Sequence, residues 1–141
     1  MSENIALQSL GVARDIHKLL TPSRIQFRVL NLKGNELGDE GAMIVGSFIS
    51  CNSLLEDLDL SWNAIHLRGV AALAKGLKAN ASLQSLYLSM NSILNEGAVE
   101  IGEVLAINRS LKVLDVSNCA FNKVPPTVPL QYPKACAATQ L

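Results

Sequence analysis

The sequence has few residues of the kinds that most often carry redox or metal chemistry. Its 141 residues include only 3 cysteines and 2 histidines, and the cysteines lie far apart without a CxxC pair. Such sparse cysteines argue against a disulfide framework and against a cysteine-based metal cluster, and they favour a reducing compartment. We therefore expect a cytoplasmic protein without a metal site.

The chain also lacks a charge imbalance and a long apolar run. Its 12 basic residues equal its 12 acidic residues, so we expect neither a nucleic acid nor an anionic membrane as a partner. The sequence has no run of about 18 consecutive apolar residues, so it predicts no membrane-spanning helix. The N-terminus does not have the pattern of a signal peptide. With 49% hydrophobic residues, the chain should nevertheless form a packed core.

The motifs of common enzyme classes are missing as well. There is no GxSxG, no phosphate-binding lysine loop and no HExxH. His17 and His66 are far apart in the sequence and have no recognisable nucleophile beside them, and Cys51 at a helix end is expected to be a small buried residue. We therefore predict no enzyme activity, no catalytic residue and no cofactor.

The sequence does contain an internal repeat, in which equivalent residues recur at a constant interval equal to the one between Leu30 and Leu58. The repeated positions are Leu30, Leu58, Leu86 and Leu114; Leu32, Leu60, Leu88 and Val116; and Asn35, Asn63, Asn91 and Cys119. Alternating leucines have the period of a β-strand with one buried face. The asparagine suits a turn, because its amide can bond to neighbouring backbone groups. Each unit therefore begins with a short strand and a turn.

The second half of each unit has a helical period. Val45, Gly46 and Ile49 are spaced as on one face of a helix, and the small residues Gly46, Ala74 and Gly102 should let each helix lie close to its strand. A strand and a helix in every unit predict parallel strands, because the connection is too long for a hairpin. We therefore predict an α/β horseshoe with a parallel inner sheet and outer helices.

Two stretches of the sequence resemble a known family. Residues 35–42, Asn-Glu-Leu-Gly-Asp-Glu-Gly-Ala, and residues 58–63, Leu-Asp-Leu-Ser-Trp-Asn, are close to the consensus of the ribonuclease-inhibitor-like subclass of leucine-rich repeats. The resemblance covers about residues 24–122 and implies a leucine-rich-repeat solenoid with units of about 28 residues. The same repeat serves ribonuclease inhibitor, NOD-like receptors, tropomodulin-type caps and the Ran GTPase-activating protein, so the fold does not fix the partner.

Three regions are expected along the chain. Residues 1–23 form an N-terminal capping helix or partial repeat, residues 24–122 form three full units and the strand of a fourth, and residues 123–141 form a proline-rich, disordered tail. Four prolines within the nine residues 125–133 forbid a helix there. Two hypotheses for this end stay open: a truncated or alternatively spliced form of a longer solenoid, and a native extended tail that lies along the last repeat.

The strand side chains that face away from the core form the expected binding surface. The predicted partner-binding residues are Trp62, Tyr87, Met90, Asp57, Asp59 and Asp115. The aromatic and methionine side chains are of types that binding hot spots favour, and the aspartates make the face mildly acidic. The alternatives are that Trp62 packs along its turn, that Tyr87 fills space beside its cross-strand neighbours, and that the aspartates form an ordinary solvated face.

These features predict a scaffold that binds a protein partner through its concave strand face. The resemblance to the Ran GTPase-activating protein implies an alternative function, the regulation of a small GTPase. A third hypothesis is a truncated product without independent function, which would self-associate through an uncapped C-terminal strand edge.

Overall fold

The computed structural model describes residues 2–4, 12–20 and 27–120, in which strands and helices alternate. The strands are β1 (Ser2–Asn4), β2 (Val29–Asn31), β3 (Asp57–Asp59), β4 (Ser85–Tyr87) and β5 (Val113–Asp115). The helices are α1 (Val12–Leu19), α2 (Gly38–Cys51), α3 (Leu67–Ala79) and α4 (Leu94–Ile107). The predicted tail, residues 123–141, lies outside the described residues.

The five strands form one parallel sheet in chain order. Leu30, Leu58 and Leu86 each pair with the equivalent leucine of the next strand, so the register from β2 to β5 advances by one sequence repeat per strand. The predicted α/β solenoid with a parallel sheet is therefore confirmed. Ser2 of β1 pairs with Val29 of β2, so the region for which we predicted a capping helix or partial repeat contributes a strand as well as helix α1.

The core lies between the sheet and the helices. In β3 the central residue, Leu58, is 0% exposed, whereas Asp57 and Asp59 on either side of it are half-buried on the other face. On α3, Val70 and Leu73 belong to a buried stripe. The period of two in the strands and the helical period in the connections therefore bring their apolar residues into one layer.

An asparagine from each repeat supplies hydrogen bonds for the turn that follows the strand. The side-chain oxygen of Asn63 accepts the backbone N–H groups of Asn35 and Leu37, at 2.9 and 3.3 Å. Its Nδ2 donates to the carbonyl oxygens of Leu32 and Leu60, both at 2.9 Å. One side chain thus satisfies backbone groups of two successive repeats, which an apolar side chain would leave buried without partners.

Asn91 and Cys119 continue this asparagine ladder. Asn91 Oδ1 accepts the backbone N–H groups of Asn63 and Ile65, both at 3.0 Å. In the last described repeat the Cys119 thiol donates to the Leu88 carbonyl oxygen over 3.1 Å. The thiol therefore reproduces part of the hydrogen bonding that the amide provides in the other repeats.

A second asparagine column joins the ends of the helices. Asn80 Nδ2 donates to the carbonyl oxygens of Ile49 and Asn52, at 2.8 and 2.9 Å, and its Oδ1 accepts the N–H of Leu83 at 2.7 Å. Asn108 makes the equivalent contacts one unit later. The two columns fasten successive units to each other at both ends of their helices.

Two glycines bring helices α2 and α3 into backbone contact. A Cβ on Gly46 would lie 2.5 Å from the carbonyl oxygen of Ala72 in α3, and a Cβ on Gly76 would overlap the Gly46 carbonyl. Our prediction that Gly46 lets its helix approach the strand is therefore wrong, because the neighbour that it admits is the next helix. Gly76 does not show in the repeat pattern, since Phe48 and Val104 stand at the equivalent positions.

Gly76→Ala is expected to destabilise the fold, although alanine favours a helix over glycine by about 1 kcal/mol. The added methyl group would collide with the backbone of Gly46, and separating the helices should cost about 1 to 3 kcal/mol. Chemical denaturation measures the change in the free energy of unfolding. Lys75→Ala, at an exposed position of the same helix, is the control and should change it by less than about 0.5 kcal/mol. A more stable Gly76→Ala protein would contradict the close helix contact.

Candidate interaction surface

The residues of the predicted surface lie on two adjoining parts of the molecule. The first part, the strand face, comprises Asp57 and Asp59 of β3, Tyr87 of β4 and Asp115 of β5. All four side chains are half-buried, and Asp59, Tyr87 and Asp115 are register partners on successive strands. Neighbouring parallel strands are about 4.8 Å apart, so these side chains form a continuous row.

An open depression of about 320 Å³ lies on the strand face. It is lined by Val29, Leu30, Asn31, Asp57, Leu58, Asp59 and Tyr87. Two of the predicted aspartates and the tyrosine therefore meet at one concavity, whereas Asp115 lies on the strand beyond Tyr87. Because the depression is open, it suits a side chain of a protein partner better than a small molecule, whose sites enclose most of the ligand.

The second part, the turn edge, lies where the strands lead into the helices. Trp62 and Met90 occupy equivalent positions there and are 54% and 36% exposed. Leu67 and Leu94, both 42% exposed, are the first residues of α3 and α4. These four exposed apolar residues belong to two successive repeats. We did not predict the two leucines from the sequence, although Leu94 stands where an earlier repeat has Gly38, a difference that could have indicated it.

Trp62 and Met90 have a backbone conformation that bulky residues rarely adopt. Their φ angles are 59° and 58°, in the left-handed region, as are those of Gly34 and Asn118 at the same position of neighbouring repeats. Glycine and asparagine suit this conformation, whereas larger side chains are disfavoured. The turn therefore explains Gly34 and Asn118 but gives no reason for Trp62 or Met90. Packing along the turn accounts for less than half of the Trp62 surface, since 54% is exposed.

Tyr87 departs from its column in a similar way. Asn31, Asp59 and Asp115 stand at the same position of other strands, and each accepts a hydrogen bond from the backbone N–H two residues later, at 2.9 to 3.0 Å. Short carboxylate and amide side chains typically start turns in this manner. Tyr87 has no short side-chain acceptor and cannot form this bond. Asp59 and Asp115 therefore have a structural role that we did not predict, and Tyr87 does not share it.

Two basic residues near the strand face are engaged with other neighbours. Arg28 forms a 3.0 Å ion pair with Glu56, and Lys112 Nζ donates to Gln84 Oε1 at 3.1 Å. In the part of the chain that the structure describes, no ion pair includes an aspartate of the strand face. The negative charge of this face is therefore available to a partner.

The two described cysteines differ in exposure. Burial raises the pKa of the Cys119 thiol to about 11, so the thiol keeps the proton that it donates to the Leu88 carbonyl oxygen. Cys51 is exposed, which corrects our expectation of a buried residue. It lies two positions beyond Ile49, the last residue of the buried stripe of α2, and so points to a different side of the helix.

Within residues 2–4, 12–20 and 27–120, no group of three or more His, Cys, Asp or Glu side chains could hold a metal ion. None of the helices in these ranges combines the length and the apolar character that crossing a bilayer requires.

Models of protein families match this chain in four stretches. One model, described as a leucine-rich repeat, matches residues 27–43, 51–74 and 79–102, and a second with the same description matches residues 110–130. The chain is a leucine-rich-repeat protein. Repeat proteins of this kind typically present an extended concave surface to protein partners. The ribonuclease-inhibitor-like subclass stays a prediction.

This leucine-rich-repeat protein is also similar to solved structures, of which 51 chains match significantly. One of them is "Leiomodin-1 Actin-Binding Site 2 (ABS2)", with a TM-score of 0.60 and 21% sequence identity. The match covers 77% of this chain and 62% of that chain, so this protein spans less than two thirds of the length of its neighbour. At this identity the likeness shows the fold alone. No curated protein matches at a significant level.

At position 62 of this leucine-rich-repeat protein, asparagine should be tolerated better than valine. Trp62→Asn and Trp62→Val both remove the indole, but only asparagine readily adopts the left-handed conformation, so the valine variant should be less stable by about 1 to 2 kcal/mol. Urea denaturation measures the difference. The control is the same pair of substitutions at Asp57, which lies in strand β3. There Asp57→Val should be more stable than Asp57→Asn, because valine favours strands. Equal stability of the two variants at position 62 would contradict the proposed preference of the turn.

The stability of the wild-type protein should fall between pH 9 and 11 by more than that of Cys119→Asn. Burial raises the pKa of Cys119 from 9.0 to about 11, so the folded state holds the thiol proton more tightly than the unfolded state. The resulting stabilisation is complete below pH 9 and is lost as the pH rises to about 11, by about 2 to 3 kcal/mol. Urea denaturation at several pH values measures this loss of stability. Subtracting the pH profile of Cys119→Asn removes the contribution of the other titrating groups, which both proteins share. Parallel pH profiles would show that this thiol proton does not contribute.

Proposed function

We propose that this protein is an interaction scaffold, and that a protein partner binds across the strand face and the turn edge with Trp62, Tyr87 and Met90 as its anchors. One observation carries the proposal: all three residues depart from the type that the local backbone favours. Trp62 and Met90 have the left-handed conformation of Gly34 and Asn118, and Tyr87 interrupts a column of turn-starting side chains. Proteins usually depart from such local preferences at functional sites, where another contact compensates.

The three anchors lie close enough in the repeat to act together. Trp62 and Met90 are on adjacent turns, because the backbone N–H of Trp62 donates to the carbonyl oxygen of Ser89, the residue before Met90, over 3.0 Å. Tyr87 precedes Met90 by three residues and lines the depression. Aromatic residues dominate binding hot spots, and methionine adapts its shape to a partner. A partner side chain in the depression would therefore leave its neighbouring residues next to the turn edge.

The aspartates of the strand face indicate the charge of the partner. Asp57, Asp59 and Asp115 lie on one side of the sheet and are free of ion pairs within the described residues. We expect a partner that places lysine or arginine opposite them. Such complementarity mainly raises the association rate and the specificity, and it weakens as salt is added.

The proposed surface can be tested with defined proteins. Actin is one probe, because the similar solved chain is an actin-binding site of leiomodin-1. Regulation of a small GTPase stays an alternative prediction from the resemblance to the Ran GTPase-activating protein, and a GTP-hydrolysis assay with candidate GTPases tests it. Self-association through the C-terminal strand edge also stays a prediction, which size-exclusion chromatography at several concentrations tests.

The double substitution Trp62→Asn and Tyr87→Asn should weaken partner binding strongly while the fold persists. Asparagine suits both positions, because it adopts the left-handed turn at position 62 and can start the turn at position 87. Affinity capture from cell lysate and cosedimentation with filamentous actin compare the variant with the wild type. Loss of a hot spot costs at least about 2 kcal/mol, so binding should weaken by at least about 30-fold.

Lys75→Ala, at an exposed position of α3, is the matched control and should bind like the wild type. Circular dichroism establishes that each variant is folded before binding is compared. A folded double variant that retains the partners of the wild type would overturn the proposed surface.

A further inference from the structure

Asp57 differs from the other residues of its column in the sheet. Valine stands at the same position of β2 and β5, and serine stands there in β4. Strands favour valine and contain little aspartate. Asp59 at least starts a turn, because it accepts a backbone N–H, but Asp57 forms no side-chain hydrogen bond or ion pair in the part of the chain that the structure describes. The fold therefore gives no reason for a carboxylate at position 57.

The half-buried side chain of Asp57 lines the depression of about 320 Å³ together with Asp59 and Tyr87. The two aspartates are two residues apart on one strand, so both side chains point to the same side and their Cα atoms are about 6.6 Å apart. Tyr87 is the register partner of Asp59 on β4, and Val29 is the register partner of Asp57 on β2. The depression therefore combines two carboxylates, an aromatic ring and an aliphatic wall.

We propose that this depression binds an arginine side chain of the protein partner, with the guanidinium group between Asp57 and Asp59 and against the ring of Tyr87. The inference rests on the proposed function, because it names the chemical group of the partner that the strand face binds. The depression itself can be tested with a small arginine derivative, without the whole partner.

Arginine fits this combination of groups better than lysine. A guanidinium group is planar and carries five N–H donors, so it can bond to two carboxylates and also stack on an aromatic ring. One oxygen of Asp59 accepts the backbone N–H of Ser61 at 2.9 Å, which leaves the second oxygen for the arginine. The aliphatic stem of the arginine would lie along Val29. An ammonium group is a strongly hydrated point charge and gains less from the ring and the wall.

The charges around the depression favour a cationic occupant. Arg28 is paired with Glu56 at 3.0 Å, and Lys33 is exposed and does not line the depression. A neutral side chain of a partner would remove water from the two carboxylates without supplying a counter-charge, which costs free energy. An arginine supplies both the charge and the N–H donors that replace this water.

NMR titration of the isotope-labelled full chain tests the inference with Nα-acetyl-arginine amide as the probe. The backbone signals of Asp57, Asp59 and Tyr87 should shift and approach saturation. Nα-acetyl-lysine amide has the same charge and should bind at least about fivefold more weakly, because it cannot stack or bridge in the same way. Nα-acetyl-citrulline amide has nearly the same shape without the charge and should cause no saturable shift.

Two variants separate the depression from the general charge of the strand face. Asp57→Asn should weaken binding of the arginine probe by about fivefold, because it removes one of the two carboxylates. Asp115→Asn is the matched control, since it removes the same charge from the same face outside the depression. It should change the affinity by less than about twofold, because solvent and salt screen a more distant charge. The NMR spectra also show whether each variant is folded.

Equal affinity for the arginine and lysine probes would overturn the inference, as would equal effects of the two variants, because either result indicates only a general attraction to negative charge. The absence of any saturable shift would overturn it too. If only this inference fails, the arginine probe shows no such preference, while Trp62→Asn/Tyr87→Asn still loses its partners. If only the proposed function fails, the probe binds in the depression as described, although that double variant keeps its partners.

Discussion

Each turn after a strand presents backbone N–H and carbonyl groups that cannot pair within the sheet, and the asparagine ladder provides their partners. Asn63 and Asn91 each bond to the backbone of their own repeat and to that of the repeat before. Because an amide reaches only a short, fixed distance, these bonds require nearly the same turn in each unit. The turns therefore keep the units in register, and left-handed residues recur at equivalent positions, as at Gly34, Trp62, Met90 and Asn118, and two positions later at Glu36, Ala64 and Ala120.

This regular turn separates residues that build the fold from residues whose type the fold does not set. The leucine and asparagine columns point into the core, where a change would leave a cavity or an unpaired polar group. The outward columns are set only by the local backbone, which accounts for Gly34, Asn118, Asp59 and Asp115. Trp62 is not accounted for in this way, and the same holds for the tyrosine and methionine of the next repeat. A surface of this kind can acquire a binding role without altering the core.

The sequence was sufficient to predict the strands, their register and the outward columns, because each of these follows from buried groups that recur once in every repeat. Features outside the periodicity were not predictable in the same way. Gly76 matters because of its contact with one neighbouring helix, and no other repeat has a glycine there. Equivalence between repeats also shows only that two residues have the same place in the unit, and not whether that place is buried. The repeat pattern therefore did not reveal that Cys51 is exposed. The turn-starting role of Asp59 depends on a local hydrogen bond, which the recurrence of Asn or Asp at that position could have indicated.

The glycine contact between α2 and α3 also affects the curvature of the solenoid. A solenoid bends because packed helix axes are about 8 to 10 Å apart whereas neighbouring strands are about 4.8 Å apart. Because α2 and α3 are in backbone contact at Gly46 and Gly76, their separation should be near the short end of that range, and the bend between these two units should be gentler. We therefore expect a flatter sheet between β2 and β3, the two strands that supply most of the lining of the depression. On a flatter sheet, a straight, extended polypeptide would follow the surface there without bending to match it.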